Sequence, residues 1–260
     1  MQIRRFRMIN AWNVKLLKMG ELTVEYSTLM YRQHFGEKIT IPMWATAIWN
    51  DEHKILVDTG IDECEWIREA LSPCEREDDQ DIVSAIKKHL GWNPEDVDTI
   101  INTHLHHDHC GENRSFHNAR FYVQEDEYRA AMNPYAHTKN LYKKELYDER
   151  AVDYFDWVFL HGEEEIYPGL KVFPTPGHSA GQQSVLVKTE EGKLAILGDV
   201  ANLSANVNEN VPVTFALSLV DEMESLKRVR EMADVMIPGH EPDMYDGQTS
   251  GFPKVRKDLD

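Results

Sequence analysis

Basic residues are scarce in this chain, since 28 lysines and arginines stand against 45 aspartates and glutamates and leave a net charge of −17. A protein that binds the phosphate backbone needs a basic face, so we expect no nucleic-acid partner. The same charge disfavours anionic membrane surfaces. Long apolar runs are also missing, because no stretch approaches the roughly 18 apolar residues of a membrane span. We therefore expect no membrane association.

Cysteine is equally rare. The three cysteines are Cys64, Cys74 and Cys110. Their odd number and the lack of a C-x-x-C spacing argue against a disulfide scaffold or a cysteine-based zinc site, and favour a reducing compartment. Residues 1–6 carry charge but no apolar region follows, so no secretory signal is expected. These features predict a cytoplasmic protein.

The 260 residues are long enough for one large domain or two small ones, and we expect a single domain over 1–260. Apolar residues at helical spacing predict a helix over 79–90 with Gly91 as its C-cap. Residues 41–49 and 54–60 predict a hairpin closed at 50–53. Residues 125–160, rich in tyrosine and charge, are interpreted as a mostly helical insert that could cap the site or form a homodimer. Further strands are predicted at 171–174, 184–187, 194–197 and 235–237, and a helix at 221–233. The pattern indicates a two-layered sheet core flanked by helices.

The chemistry concentrates in residues 103–111, which read T-H-L-H-H-D-H-C-G. This H-x-H-x-D-H pattern places four potential metal ligands within six residues: His104, His106, Asp108 and His109. Imidazole and carboxylate are ligands that zinc, manganese, iron and cobalt accept. The apolar stretch 99–103 predicts a buried strand that ends at this loop. Ligands packed so closely cannot all face one ion, which favours two adjacent metals.

Three more candidate ligands follow predicted strands. His178 comes after Thr175-Pro176-Gly177, Asp199 after Gly198, and His240 after Pro238-Gly239. A glycine beside a ligand lets the backbone approach closely because it has no Cβ. A single histidine in such a place is more often an ordinary surface or core residue. Three ligands in the same setting strengthen the prediction of a metal site.

Taken together, this set resembles the metallo-β-lactamase superfamily, as does the early turn Asp58-Thr59-Gly60. The resemblance spans residues 55–240 and implies an αβ/βα four-layer sandwich. It implies one metal at His104, His106 and His178, and another at Asp108, His109 and His240. Asp199 would bridge the two ions. Asp58 would accept the other N–H of a ligand histidine and so orient it.

Within the superfamily the chain is similar to the N-acyl homoserine lactone lactonases. The similarity rests on residues 41–44, 91–98, 122–128 and 178–184. Because of the chain's length, we expect neither the inserted domain of nuclease relatives nor a flavin domain. A carboxylate at position 106 would have suggested the oxygen-reducing diiron branch, and His106 argues against it.

Three positions depart from the lactonase pattern. Asn202 stands where the lactonases carry a tyrosine that assists at the substrate carbonyl, while His107 and Cys110 stand where they commonly have phenylalanine and alanine. Asparagine can donate a hydrogen bond to an oxyanion but cannot act as a phenolic acid. Acyl-homoserine lactone specificity is therefore in doubt. Cys110 is expected to be a packed thiol.

The predicted reaction is hydrolysis of a lactone or related cyclic ester by a hydroxide that bridges two divalent ions. Zinc is the favoured metal, with manganese, iron or cobalt as alternatives. Asp108 is the candidate proton donor to the leaving alkoxide, and Asn202 the candidate catalytic hydrogen-bond donor. The chain lacks a G-x-S-x-G elbow, so covalent catalysis has no support. Alternatives are a glyoxalase II-like thioesterase, a cyclic amide hydrolase, a phosphodiesterase, or a metal-binding protein without turnover.

Overall fold

Two β-sheets form the centre of the computed structural model, which describes residues 11–70, 72–148, 150 and 155–258. The strands of the first sheet are β1 (Asn13–Glu25), β2 (Lys38–Trp49), β3 (Lys54–Val57), β4 (Cys74–Glu75), β5 (Thr99–Ile101), β6 (Arg120–Gln124) and β7 (Asp156–Leu160). Their order is β4-β1-β2-β3-β5-β6-β7, and β3, β5, β6 and β7 run parallel.

The second sheet comes from the following part of the chain. Its strands are β8 (Glu164–Tyr167), β9 (Leu170–Pro174), β10 (Gln183–Thr189), β11 (Gly192–Gly198) and β12 (Val235–Pro238). Their order is β12-β11-β10-β9-β8, with only the β11–β12 pair parallel. The helices are α1 (Cys64–Ala70), α2 (Ile82–Leu90), α3 (Glu125–Met132), α4 (Ser204–Glu209) and α5 (Leu219–Met232).

Alternation along the strands sorts the apolar side chains into layers. In β3, Ile55 and Val57 join the core between the two sheets, whereas Leu56 faces the core under α1 and α2. In β11, Ile196 also points between the sheets, and Leu197 packs in the core with α5. The αβ/βα four-layer sandwich is therefore confirmed. Of the helices that the structure describes, none is long and apolar enough to cross a membrane.

Local predictions in the first half of the chain are confirmed. Strands β2 and β3 pair antiparallel across residues 50–53, with Trp49 opposite Lys54. Helix α2 begins after Asp81, whose side chain accepts a hydrogen bond from the Ser84 N–H. It ends at Gly91, whose φ of 71° is the left-handed conformation of a C-cap.

The mostly helical interpretation of residues 125–160 is wrong for the described part of that segment. Only α3 is α-helical, followed by 3₁₀ turns at Lys139–Leu141 and Lys144–Leu146, and β7 then joins the first sheet beside β6. Tyr147 is fully buried and packs with Tyr128, Tyr142 and Trp157 on the same domain, whereas Tyr135 is exposed. Residues 149 and 151–154 of the predicted insert lie outside the described residues.

The expectation that the cysteines form no disulfide is also wrong. Cys64, at the start of α1, forms a disulfide with Cys74 in the edge strand β4, across a Cα–Cα distance of 5.4 Å. This bond contradicts the expectation that no disulfide would form, and it removes the cysteine-based support for a reducing compartment. Cys110 is buried and donates to the Leu105 carbonyl, so its prediction as a packed thiol is confirmed.

Removing the disulfide by the double substitution Cys64→Ser/Cys74→Ser should lower the free energy of unfolding by about 2–4 kcal/mol, because a closed loop of this size restricts the unfolded chain. Urea denaturation followed by circular dichroism measures the change. Wild-type protein in excess dithiol is the control and should match the variant. Equal stability of oxidised protein and variant would contradict the prediction.

Candidate metal centre

Seven imidazole and carboxylate side chains meet where the two sheets present the ends of their strands. They are His104, His106, Asp108, His109, His178, Asp199 and His240. The first four lie on the loop after β5, and the others follow β9, β11 and β12. Strand ends on one edge of the sandwich thus bring together residues far apart in sequence, as expected from the sequence.

One cluster consists of His104, His106 and His178, whose donor atoms lie within 4.8 Å of one another. His178 Nε2 is 3.0 Å from His106 Nδ1. A second cluster consists of Asp108, His109 and His240. In it, Asp108 Oδ2 is 3.8 Å from both histidine Nε2 atoms. These are the two groups that the resemblance implied, and the donor atoms of His104, His109 and Asp199 form a third group that links them.

Asp199 lies between the two clusters. Its Oδ2 is 3.5 Å from His178 Nε2, while its Oδ1 is 3.2 Å from His109 Nε2 and 3.3 Å from His240 Nε2. One oxygen therefore faces each cluster. The preceding residue of His240 permits this approach, because a Cβ on Gly239 would come within 2.5 Å of Asp199 Oδ1.

In three of the histidines, a hydrogen bond from Nδ1 determines which ring nitrogen points into the cluster. A carbonyl oxygen can only accept, so His178 Nδ1 donates to the Phe215 carbonyl at 2.8 Å and His240 Nδ1 donates to the Pro42 carbonyl at 2.9 Å. His109 Nδ1 donates to Asp58 Oδ2 at 2.7 Å. In all three rings Nδ1 is the outward donor, and Nε2 points into the cluster.

Asp58 takes the supporting position that the resemblance implied. Besides His109, its carboxylate accepts from the Thr103 N–H and hydroxyl, each at 2.7 Å. Asp58 has a φ of 60°, a left-handed conformation that residues other than glycine seldom adopt. Such strain often accompanies a site whose geometry the surrounding structure enforces.

The free donor atoms fit metal ions better than they fit a metal-free core. His104 Nε2, His109 Nε2 and Asp199 Oδ1 are buried and have no hydrogen-bond partner among the described residues. Burial of such atoms is costly unless something binds them. Burial lowers the pKa of His104 and His106, and adjacent imidazoles lower it further. Both rings are therefore neutral, the form that binds metal.

The bridging carboxylate is in its metal-binding form too. Burial raises the pKa of Asp199, but the surrounding imidazoles, above all that of His240, outweigh this and hold it well below its ordinary value. Asp199 is therefore ionised. Mixed imidazole and carboxylate donors with no cysteine are typical of catalytic rather than structural zinc sites.

A cavity of about 480 Å³ opens beside the clusters. Its floor includes Asp108, Asn202 and His107, and its walls are largely apolar, with Leu22 and Ile41 from the β1–β2 pair. Asn202 is buried, and no hydrogen bond within the described residues uses its side-chain oxygen. His107 packs edge-on against Trp66, with ring centroids 5.0 Å apart. Two of the three departures from the lactonase pattern, Asn202 and His107, thus line the cavity.

Some groups that support the site could not be predicted from the sequence. The carbonyls of Pro42 and Phe215 orient two histidines, but a backbone acceptor leaves no signature in the sequence. Glu127, fully buried, bonds the backbone between His104 and His106 and the hydroxyl of the residue after His178. It stands in the acidic run Glu125-Asp126-Glu127 at the start of α3, where nothing distinguishes it from its solvent-facing neighbour Asp126.

Comparisons with known proteins agree with this geometry. Residues 42–240 match the profile of the metallo-β-lactamase superfamily. An N-acyl homoserine lactonase of Bacillus cereus is 32% identical over 207 residues, which cover 76% of this chain and 78% of the relative. The N-acyl homoserine lactonase of Bacillus thuringiensis is 30% identical over 223 residues, which cover 82% of this chain and 85% of the relative.

Solved structures show the same fold. An N-acyl homoserine lactone hydrolase with the product N-hexanoyl-L-homoserine bound at its catalytic metal centre superposes with a TM-score of 0.78 and 26% identity, covering 90% of this chain and 95% of that one. A dizinc quorum-quenching lactonase superposes with a TM-score of 0.68 and 16% identity, covering 96% of both chains. Profile, relatives and fold agree, and the chain belongs to the metallo-β-lactamase superfamily.

Proposed function

We propose that this metal-dependent hydrolase opens the ring of a lactone or a related cyclic ester. The observation that carries the proposal is the convergence of buried, unpartnered donor atoms of His104, His109 and Asp199 beside the apolar cavity. The lactonase relatives, which cover most of this chain, support a lactone over the other ester-like substrates of the superfamily.

The two clusters would each hold one divalent ion. His104, His106 and His178 would hold the first, and Asp108, His109 and His240 the second. Asp199 would contribute one oxygen to each, as its position between the clusters suggests. Zinc is the ion we propose, because it accepts imidazole and carboxylate together in an open catalytic site.

When bound, a pair of ions supplies an acidified water and polarises the substrate carbonyl. The chain would move the proton. Burial raises the pKa of the Asp108 carboxyl, but His109 and His107 outweigh this and hold it below its ordinary value. Asp108 is thus ionised before the reaction and can take the proton that the water loses as its oxygen joins the carbonyl carbon. It then gives that proton to the alkoxide as the ring C–O bond breaks.

Metal removal tests the site directly. Elemental analysis of the purified protein should find two ions per chain. Dialysis against a chelator should abolish hydrolysis and lower the melting temperature, because the donor atoms lose their ligand. Adding back two equivalents of zinc should restore both. One ion or none per chain at saturating zinc would contradict the two-ion site.

A substrate panel tests the reaction class. We expect turnover of aromatic or alkyl lactones to exceed that of thioesters, cyclic amides and bis-p-nitrophenyl phosphate. Acyl-homoserine lactones are expected to be weaker substrates than simple lactones, because Asn202 replaces the phenol of the lactonases. Preference for a thioester or a phosphodiester would contradict the lactone proposal and indicate a different hydrolase of the superfamily. Absence of any turnover by protein with two ions would favour a binding role.

Quaternary structure and location stay predictions. A homodimer built through residues 125–160 is tested by light scattering on the purified chain, which should give twice the mass of 30.2 kDa. A cytoplasmic location is tested by cell fractionation. The disulfide state of Cys64 and Cys74 in the cell is a second readout, because a reducing compartment would keep the two thiols reduced.

A further inference from the structure

Glu127 is a buried carboxylate outside both ligand clusters, and its hydrogen bonds to the two ligand loops go to residues close to His104, His106 and His178. We propose that Glu127 is the positioning residue of the His104/His106/His178 cluster, holding its two loops at the spacing that an ion requires. This inference rests on the proposed function, because it assumes that the cluster binds an ion.

The first loop is held by Glu127 Oε1. This oxygen accepts from the Leu105 backbone N–H at 3.0 Å. Leu105 stands between His104 and His106, so this bond fixes the backbone from which both rings project. The hydroxyl of Tyr142 donates to the same oxygen at 3.3 Å, and the Tyr142 ring packs against His106 at a centroid distance of 4.6 Å.

The second loop is held by Glu127 Oε2. This oxygen accepts from the Ser179 hydroxyl at 2.6 Å and from the Gly181 N–H at 3.1 Å. Ser179 directly follows His178. A Cβ on Gly181 would lie 2.1 Å from the Glu127 backbone nitrogen, so only glycine allows this loop to reach α3.

The two loops leave different sheets, β5 in the first and β9 in the second. One carboxylate therefore joins the loops of the two sheets with three hydrogen bonds, and Tyr142 donates a fourth. Its contacts include no residue of the Asp108/His109/His240 cluster, whose His109 is supported by Asp58 instead. Within the described residues, Glu127 makes no such bond to a ligand of the second cluster, whereas Asp58 bonds His109 directly and also bonds Thr103, the residue before His104. Such supporting residues usually change metal affinity about 10–100-fold when they are removed.

The test is Glu127→Gln in the full chain, titrated with zinc after chelator treatment. Glutamine keeps the size of the side chain, but its NH₂ group would face two of the donors. We expect the affinity for one ion to fall about 10–100-fold and the affinity for the other to stay unchanged. Anomalous scattering from crystals of the zinc-loaded variant should show reduced occupancy at His104, His106 and His178 only. The visible absorption spectrum of the cobalt-loaded variant should differ from that of the cobalt-loaded wild type.

The matched control is Glu125→Gln on the same helix, whose carboxylate pairs with Arg129 at 2.7 Å away from the clusters. It should leave both affinities unchanged. Equal weakening of both ions by Glu127→Gln, or of neither, would overturn the proposal. Should that variant not fold, Ser179→Ala decides, since it removes one bond and should weaken the same single ion. Failure of the wild-type protein to bind two ions or to open a lactone would instead contradict the proposed function.

Discussion

The substitution Asp199→Asn is expected to abolish lactone hydrolysis while the fold survives. Asparagine keeps the shape of the side chain but loses the negative charge and one of its two oxygen acceptors. Asp199 presents Oδ2 to one cluster and Oδ1 to the other, so the loss affects both proposed ions at once. The rate should fall by more than the roughly 10–100-fold that follows removal of a ligand-supporting residue.

Initial rates with a lactone substrate measure this effect, and circular dichroism and zinc content check the fold and the site. A matched control is Asp156→Asn, because Asp156 is exposed on β7 and, within the described residues, forms an ion pair with Arg120 far in sequence from the ligands. It should retain full activity. The variant His109→Ala should lose activity as Asp199→Asn does. Near-normal turnover by either ligand variant would remove the ligand assignment.

The positions of the metal-cluster residues could be predicted because they follow from local patterns. His104 and its neighbours stand at a fixed spacing after an apolar strand, and Asp199 and His240 each follow a strand and a glycine. A strand end places the residue after it at the edge of a sheet wherever the sheet lies. The ligand chemistry of each residue type then suffices to suggest a shared site.

Other features depend on contacts between distant segments, which local patterns do not carry. The mixture of aromatic and charged residues around Trp157 predicts a helical insert, yet pairing with β6 makes Trp157 part of a strand. Cys64 and Cys74 gave no spacing signal, and they meet because α1 and the edge strand β4 pack together. Tertiary contacts overrode the local preference in both places.

Asn202 should matter to catalysis rather than to ion binding. The substitution Asn202→Ala is expected to lower kcat on a lactone about 10²–10³-fold, because loss of one donor to a developing oxyanion typically has this effect. Asn202 is placed for the role, since it lines the cavity three residues beyond Asp199 and its own backbone carbonyl accepts from the His240 N–H at 2.9 Å. That bond holds the asparagine beside the second cluster.

Steady-state kinetics on the zinc-loaded variant separates this role from ground-state binding. A fall in kcat with KM and zinc content unchanged supports a hydrogen bond made in the transition state. The control is Asn208→Ala in α4, where the side chain donates to the Lys254 carbonyl away from the cavity. A rise in KM alone would make Asn202 a substrate-binding residue, and loss of zinc would make it part of the metal site. Either result would remove it from the catalytic step and leave Asp108 and the ions to act on the carbonyl without it.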